Sequence, residues 1–221
     1  MDTMDKTLKP NHQKGEILFY YFWLFIFGSI VGFFLEGVWC IITKGHWENH
    51  SALVYTPLCV IYGFGALVMY GLSGQCEKRP LVLQGILFIV AGTALEYSLS
   101  VLQEAVFGSV SWNYSKRFLN FQGRICLFMS MLWGMLGIIF VKWIFPYLKK
   151  LLYSMYCPSL KVITAVILFL LLLDTGISVL AVNRWRERNY GIENHSIIAE
   201  WLDMNYDNGR METIYPTMRF P

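Results

Sequence analysis

Five long apolar segments constrain this chain of 221 residues more than any other feature. They lie at about 17–42, 53–73, 81–107, 125–145 and 159–182. A helix needs roughly 20 apolar residues to cross the hydrocarbon core of a bilayer, where only helices and closed barrels satisfy their backbone polar groups. We therefore predict an all-α fold, a polytopic integral membrane protein with about five transmembrane helices. Residues 17–182 would form the transmembrane domain, 1–16 an N-terminal arm and 183–221 a polar C-terminal tail, surface-lying or partly disordered.

The composition agrees with a membrane protein and argues against several classes of function. Charged residues make up 15% of the chain, against roughly 25% in an average soluble domain. The net charge of +3 is too small and too scattered to indicate a nucleic-acid partner. The sequence contains neither a P-loop nor a dinucleotide-binding fingerprint, and no nucleophile motif. We therefore expect no catalytic residues and no cofactor, which favours a chain that is not itself an enzyme.

Metal binding is not expected from the sequence either. The five cysteines lie in or beside apolar segments without a C-x-x-C pair, which is typical of small apolar residues rather than of a disulfide or metal framework. The stretch HWENH at 46–50 sets His46 and His50 four residues apart around Glu48. It differs from the H-E-x-x-H arrangement of zinc enzymes and lies in a short loop.

The distribution of positive charge indicates an orientation. Five crossings put the arm and the loops 74–80 and 142–158 on one side, called side A, and the loops 43–52 and 108–121 and the tail on the other, called side B. The side A cations are Lys6, Lys9, Lys14, Lys78, Arg79, Lys142, Lys149 and Lys150, and those of the side B loops are Lys44, Lys116 and Arg117. The positive-inside rule makes side A, and with it the N-terminus, cytoplasmic in the cell membrane. The tail opposes this rule with Arg184, Arg186 and Arg188.

Ionisable residues within the apolar segments are the main candidates for function. Each costs on the order of 2.5–3.5 kcal/mol at a helix centre, so by default it faces a partner or a cavity. Glu36 follows Gly28 and Gly32 at four-residue spacing, which puts the carboxylate on the small-residue face where membrane helices approach closely. The third helix repeats this pattern with Gly92, Glu96 and Ser100, the fifth has Asp174 and Ser178, and the fourth offers Ser130, Gly134 and Gly137.

The direction of each helix brings these polar groups into one half of the membrane. The first, third and fifth helices run from side A to side B and carry their acids in their second halves, whereas Arg124 and Tyr62 lie near the starts of helices that run back. We predict a ligand or substrate site in the side B half, in which Arg124 pairs with the acids, because a guanidinium can bind a carboxylate through two hydrogen bonds. Its candidate residues are Glu36, Glu96, Arg124, Asp174 and Tyr62, with Trp112, Asn113, Tyr114 and Asn120 from the loop that caps it.

Two simpler interpretations stay open at this point. Arg124, Lys116 and Arg117 could extend to lipid headgroups, with Trp112 and Tyr114 in an aromatic belt. A buried acid–arginine pair could also fix helix register without binding anything.

Four stretches of the chain resemble a bacterial membrane-protein family. They are FGSIVGFFLEG (27–37), TPLCVIYGFGAL (56–67), LEYSLSVLQEAVFGSVSWNYSKRFLNFQGRICLFMSMLWG (95–134) and DTGISVLAV (174–182). Their order and spacing over about 17–190 are similar to the CmpB-like, or ABC-transporter type IV, family, whose members are labelled ABC transporter permeases. The chain has Asn113 where the family has W-D-Y-S, and NHSALVYTP where it has an N-R-G-x-L-x-G-P-like stretch. The resemblance implies a permease subunit whose ATPase is a separate chain.

Three classes of function remain open from the sequence. The first is a permease-type transport subunit. The second is a membrane-embedded enzyme or lipid-headgroup-binding protein, with Glu36 or Glu96 as general base. The third is a membrane sensor or assembly factor that uses the tail as its interaction surface. The lipid bilayer is a partner in every case, and an ATPase subunit or a second copy of the chain are further candidates.

Overall fold

The computed structural model describes residues 10–76 and 79–221. Its elements in chain order are α1 (Pro10–Lys44), α2 (Val60–Cys76), α3 (Leu81–Phe107), the short strands β1 (Asn120–Phe121) and β2 (Ile125–Cys126), α4 (Leu127–Ile139), a π-helical segment (Phe140–Ile144), α5 (Phe145–Met155), α6 (Pro158–Asn189), α7 (Ile197–Asn205) and α8 (Asn208–Ile214). Within the described residues, four helical stretches are long and apolar enough to cross a bilayer, and Val60–Cys76 is a shorter apolar helix. The predicted all-α, polytopic membrane fold with about five spans is confirmed.

The helix ends differ from those that hydropathy predicted. The second helix begins at Val60 rather than near residue 53, because backbone N–H groups of the preceding segment bind side chains of α6 instead of helical carbonyls. The fourth span continues past residue 145 to Met155 through the π-helical segment. Pro146 follows that segment, and the N–H it lacks cannot close a regular α-helical turn there. The first helix starts at Pro10, while the remainder of the predicted arm, with Lys6 and Lys9, and Lys78 lie outside the described residues.

Small residues make the helix contacts of the bundle. A Cβ atom added at Gly28 would lie 2.8 Å from the Cβ of Ala66, which means that α1 and α2 are in close contact there. On the α3–α4 contact, a Cβ atom at Gly134 would meet Ile89 at 2.5 Å, and one at Gly137 would meet Phe88 at 2.4 Å. Close approach at small residues is the usual way in which membrane helices associate. The contact faces predicted from the four-residue spacing of glycines are therefore confirmed for helices 1 and 4.

The tail forms a folded cap on side B instead of a surface-lying or partly disordered segment. Helix α6 extends beyond residue 182 to Asn189, and α7 and α8 fold back onto its end. The apolar cluster beneath them is made by Ala181, Val182, Trp185, Leu202, Tyr206, Met211, Tyr215 and Met218. Such a cluster needs residues from both ends of the tail, which local periodicity does not reveal.

Contacts between distant parts of the chain agree with five crossings. The backbones of Val110 and Arg219 exchange two hydrogen bonds of 2.8 Å, which join the 108–121 loop to the tail. Asn49 Nδ2 donates to the Ile214 carbonyl at 2.9 Å, which joins the 43–52 loop to the tail as well. At the other end of the bundle, the ring of Tyr20 from α1 lies 5.2 Å from that of Tyr153 from α5. The segments assigned to side B therefore lie together.

Candidate functional site

Two carboxyl groups inside the bundle are linked through aromatic side chains. Tyr62 donates its hydroxyl hydrogen to Glu36 Oε1 at 2.6 Å, and its ring lies 5.6 Å from the ring of Trp133. Trp133 Nε1 donates to Glu96 Oε2 at 3.2 Å, and the Tyr114 hydroxyl donates to Glu96 Oε1 at 3.1 Å. Glu96 is only 4% exposed. We call these five residues the carboxyl–aromatic cluster.

A glycine one turn before each acid makes room for the aromatic side chain that binds it. A Cβ atom at Gly32 would lie 2.3 Å from the Tyr62 side chain, which therefore rests on the backbone of α1 and reaches Glu36 one turn further on. A Cβ atom at Gly92 would likewise lie 2.5 Å from the Trp133 side chain, whose indole N–H reaches Glu96. The four-residue spacing of glycine and acid thus builds the same arrangement on α1 and on α3.

The partners of these two acids are neutral groups. Within residues 10–76 and 79–221, the ion pairs of the structure include neither Glu36 nor Glu96. Their hydrogen-bond donors are two phenol hydroxyls and an indole N–H. A carboxyl group held by neutral donors keeps its capacity to bind a proton or a cation, because no fixed positive charge competes for it.

Arg124 does not join the acids with which it was predicted to pair. Its guanidinium forms an ion pair with Glu104 and donates to the Ser100 hydroxyl at 3.0 Å. Arg124 lies in the β1–β2 hairpin, before β2, and this hairpin carries it to the last turns of α3, one and two turns beyond Glu96. The predicted pairing of Arg124 with Glu36, Glu96 and Asp174 is therefore wrong, because the guanidinium is engaged by Ser100 and Glu104, which lie beyond Glu96 on α3.

Asp174 forms a separate site that holds the segment before α2. Its carboxylate accepts hydrogen bonds from the backbone N–H of Tyr55 at 3.2 Å and of Thr56 at 2.9 Å, and from the Thr56 hydroxyl at 2.5 Å. The Ser178 hydroxyl, one turn along α6, donates to the same carboxylate at 3.2 Å. Asp174 is 5% exposed, and its acceptor sites are used by these donors. Its observed role is to anchor an irregular segment against α6.

The capping loop contributes one of its predicted residues to the cluster. Tyr114 reaches Glu96, whereas Trp112 Nε1 donates to the Arg124 carbonyl at 2.9 Å. Asn113 accepts from the Ser115 N–H at 2.8 Å, and Asn120 donates to the Arg117 carbonyl at 2.9 Å. These hydrogen bonds stabilise the conformation of the loop. Leu119, Gln122 and Gly123 all have positive φ angles, so this shape depends on left-handed backbone conformations.

Sequence reasoning missed two residues of these contacts. Glu104 continues the four-residue series of Gly92, Glu96 and Ser100, and this extension was the available signal for it. Trp133 is one of eight tryptophans in the chain, and its own spacing does not mark it. Only its position opposite Gly92 identifies it.

Comparison with known protein families accounts for most of the chain. The profile of one family, described as "Putative ABC-transporter type IV", matches residues 23–179. The matched region includes every acid and aromatic residue of the carboxyl–aromatic cluster, as well as Arg124 and Asp174. Neither a curated protein nor a solved structure matches the chain significantly. The match spans well over half of the chain and agrees with the four stretches that resembled the same family, and the protein is therefore a multi-pass membrane protein of the family "Putative ABC-transporter type IV".

Proposed function

We propose that the protein is the membrane subunit of a transport system in the cell membrane, and that the carboxyl–aromatic cluster is its site for a cation. The observation that carries this proposal is the state of Glu36 and Glu96, two acids within the helix bundle whose donors are neutral hydroxyl and indole groups. Acids inside transmembrane helices commonly mark the path of an ion or a substrate, since burying them is costly.

The chemistry of the cluster favours an organic cation. The aromatic rings of Tyr62 and Trp133 lie 5.6 Å apart and bond to the two acids, and aromatic rings attract ammonium groups, most strongly when water is excluded. The role of the site residues changes accordingly. Glu36, Glu96, Tyr62 and Tyr114 remain candidates for binding, and Trp133 joins them. Arg124, Asp174, Trp112, Asn113 and Asn120 act as framework around the site.

The proposed partner is an ATPase on a separate chain, since this sequence contains no P-loop. It would bind at side A, which the positive-inside rule assigns to the cytoplasm together with the N-terminus. Helix α5 extends the fourth span on this side and exposes Tyr147, Lys149 and Lys150. Purification of the tagged protein in mild detergent from its host, followed by mass spectrometry, should recover an ATPase subunit at near-equimolar amount. Recovery of the protein with lipid alone would contradict this part of the proposal.

The binding site itself can be tested with the tryptophan that it contains. Choline and putrescine, added to the purified protein in detergent, should change its tryptophan fluorescence in a saturable way if either cation enters the cluster beside Trp133. The Glu36→Gln and Glu96→Gln variants keep the volume of each side chain but lose its negative charge. At position 96 the amide has one acceptor oxygen, so only one of the two donors, Tyr114 or Trp133, keeps its bond. We expect each substitution to weaken binding by about tenfold or more, because the partner of the cation is removed in a site of low dielectric.

A matched control is available on the side B cap. Glu200 is an exposed acid of α7, and Glu200→Gln should leave the binding curve unchanged. Size-exclusion chromatography of each variant distinguishes loss of binding from loss of folding. Equal binding by the wild type, Glu36→Gln and Glu96→Gln would exclude the cluster as the cation site.

A lipid-binding function is the second candidate, and one observation favours it. A groove of about 520 Å³ lies along α3 and the capping loop, with Val90, Ala94, Tyr97, Phe121 and Leu127 in its lining. Its walls are mainly apolar, as an acyl chain requires. Native mass spectrometry in mild detergent would reveal a lipid retained there, and Ala94→Trp should displace it by filling the groove.

A further inference from the structure

Three potential metal ligands lie together at the side B end of α1. Cys40 Sγ is 3.7 Å from Glu48 Oε2 and 4.0 Å from His50 Nε2. The three ligand atoms all lie within 4.8 Å of one another. Two ligand atoms bound to one tetrahedral zinc ion, at about 2.1 and 2.3 Å, are about 3.6 Å apart. The two separations from Cys40 Sγ are therefore within about 0.4 Å of those in a zinc site.

The ring of His50 is oriented as that of a metal ligand usually is. The Nδ1 atom of His50 lies 3.3 Å from the Glu48 carbonyl oxygen, so an Nδ1–H donates there and leaves the Nε2 lone pair facing Cys40. His46 differs, because both of its ring nitrogens face acceptors, with Nδ1 3.2 Å from the Lys44 carbonyl oxygen and Nε2 3.2 Å from Glu48 Oε1. A backbone carbonyl that fixes the tautomer of a histidine is the common outer-shell partner in zinc sites.

The loop that carries these ligands is held back onto α1. Gly45 ends the helix with a φ of +79°, a left-handed conformation that reverses the chain. Trp47 then rests on Gly37, where an added Cβ atom would lie 2.1 Å from the indole ring. Asn49 is tied to the tail through its bond to Ile214. The three ligands are therefore brought together by contacts that do not involve a metal.

We propose that Cys40, Glu48 and His50 bind a zinc ion. A thiolate, an imidazole and a carboxylate form a ligand set that suits zinc, and three protein ligands leave a fourth position for water or for His46. Cys40 is buried near the end of α1 and Asn49 of the loop is bonded to the tail, so the ion would join the end of α1 to the side B cap. The proposal is independent of the cation site in the bundle. The sequence HWENH alone did not indicate a metal site. The structure does so because the third ligand lies in α1 and outside this motif.

One cation already competes for this position. Lys44 Nζ donates to Glu48 Oε2 at 2.6 Å, the same oxygen that faces Cys40. The side chain of Lys44 is 46% exposed and can turn into solvent when zinc takes the oxygen. Lys44→Ala should therefore tighten zinc binding, since it removes both the competing donor and the repulsion between two cations.

The experiment is a metal titration of the full-length protein in detergent after treatment with a chelator. Cobalt serves as the spectroscopic probe, because a thiolate bound to Co²⁺ gives a charge-transfer band in the near ultraviolet. Zinc should abolish this band by displacing cobalt, and elemental analysis should then find zinc equimolar with protein. Cys40→Ser should lose the band, and His50→Gln should weaken zinc binding by about tenfold or more.

Cys157→Ser is the matched control, since Cys157 is an exposed cysteine remote in sequence from the site. It should retain the band and the affinity of the wild type. His50→Gln alters the loop, and Cys40→Ser alters α1. Elution of each variant as a single species in size-exclusion chromatography verifies that it is folded. Absence of the band in the wild type, or equal zinc affinity in the wild type and His50→Gln, would overturn the proposal.

Discussion

Tyr62 donates a hydrogen bond to Glu36 across the α1–α2 contact, with 2.6 Å between the hydroxyl oxygen and Oε1. The tyrosine reaches the acid because its ring lies on Gly32, one turn earlier in α1. Trp133, Gly92 and Glu96 repeat this relationship between α4 and α3. The close approach of the helices and the position of each carboxyl group therefore depend on the same glycines.

Gly32→Ala should destabilise the protein by about 1–3 kcal/mol, because the new methyl group would overlap the Tyr62 ring and push α2 away from α1. Thermal unfolding in detergent measures the change. Gly71→Ala is the matched control, since an added Cβ atom at this glycine of α2 has open space around it. A melting temperature of Gly32→Ala equal to that of the control would mean that the ring does not rest on the glycine.

Tyr62→Phe should keep the packing on Gly32 but leave Glu36 without this donor. A buried acceptor that loses its donor costs about 1–3 kcal/mol, and the lower end applies here because Glu36 is only partly buried. The free energy of unfolding can be compared with that of Tyr97→Phe, which removes a hydroxyl bonded to Gln122 at the exposed surface. Equal stability of the two variants would mean that the Tyr62–Glu36 bond does not stabilise the protein more than a surface bond does.

Hydropathy and spacing predict the spans and the acids on helix-contact faces, but they do not predict which acid Arg124 meets. The spans follow from the thickness of the bilayer, and the faces of Glu36 and Glu96 follow from glycines four residues away. The depth of Arg124 depends instead on a hairpin with left-handed residues at Leu119 and Gln122, which local sequence does not specify. The folded tail was missed for a related reason, since α7 and α8 are short and are stabilised by contacts with distant residues.

Asp174→Asn should loosen the segment before α2. An amide has one acceptor oxygen in place of two, so the N–H groups of Tyr55 and Thr56 cannot both keep their present bonds. Hydrogen exchange of residues 54–58 should become at least about tenfold faster, which corresponds to about 1.4 kcal/mol of lost protection. Thr175→Ala is the control on the next residue, because Thr175 is exposed and its hydroxyl donates to the Leu171 carbonyl of the same helix. Unchanged exchange in Asp174→Asn would show that other contacts hold this segment.

Arg124 and Glu104 should be energetically coupled. The Arg124→Ala, Glu104→Ala and double variants form a cycle whose coupling energy we expect to be about 0.5–1 kcal/mol, since Glu104 is 39% exposed and solvent screens the pair. The amount of each variant in the membrane and its melting temperature supply the readouts. If Arg124→Ala is lost from the membrane while Glu104→Ala is normal, the arginine acts through a different contact, of which the bond to Ser100 is the first to test.

The stability of the side B cap should fall in acid because of Asp203. Hydrogen bonds from Arg184, at 2.6 and 2.9 Å, hold the pKa of the Asp203 carboxyl below its usual value, a further bond from Arg188 acts in the same direction, and partial burial opposes them. A carboxyl whose pKa is lowered by folding contributes stability above its unfolded pKa of about 4, and this contribution is lost as the pH falls through the lower folded pKa.

Asp203→Asn should therefore lower the melting temperature at pH 7 and reduce its further decrease between pH 5 and pH 3. Glu212→Gln, an exposed acid of α8, should retain the pH dependence of the wild type. If the melting temperatures of the wild type and Asp203→Asn decrease equally between pH 5 and pH 3, the ion pairs with α6 do not stabilise the cap.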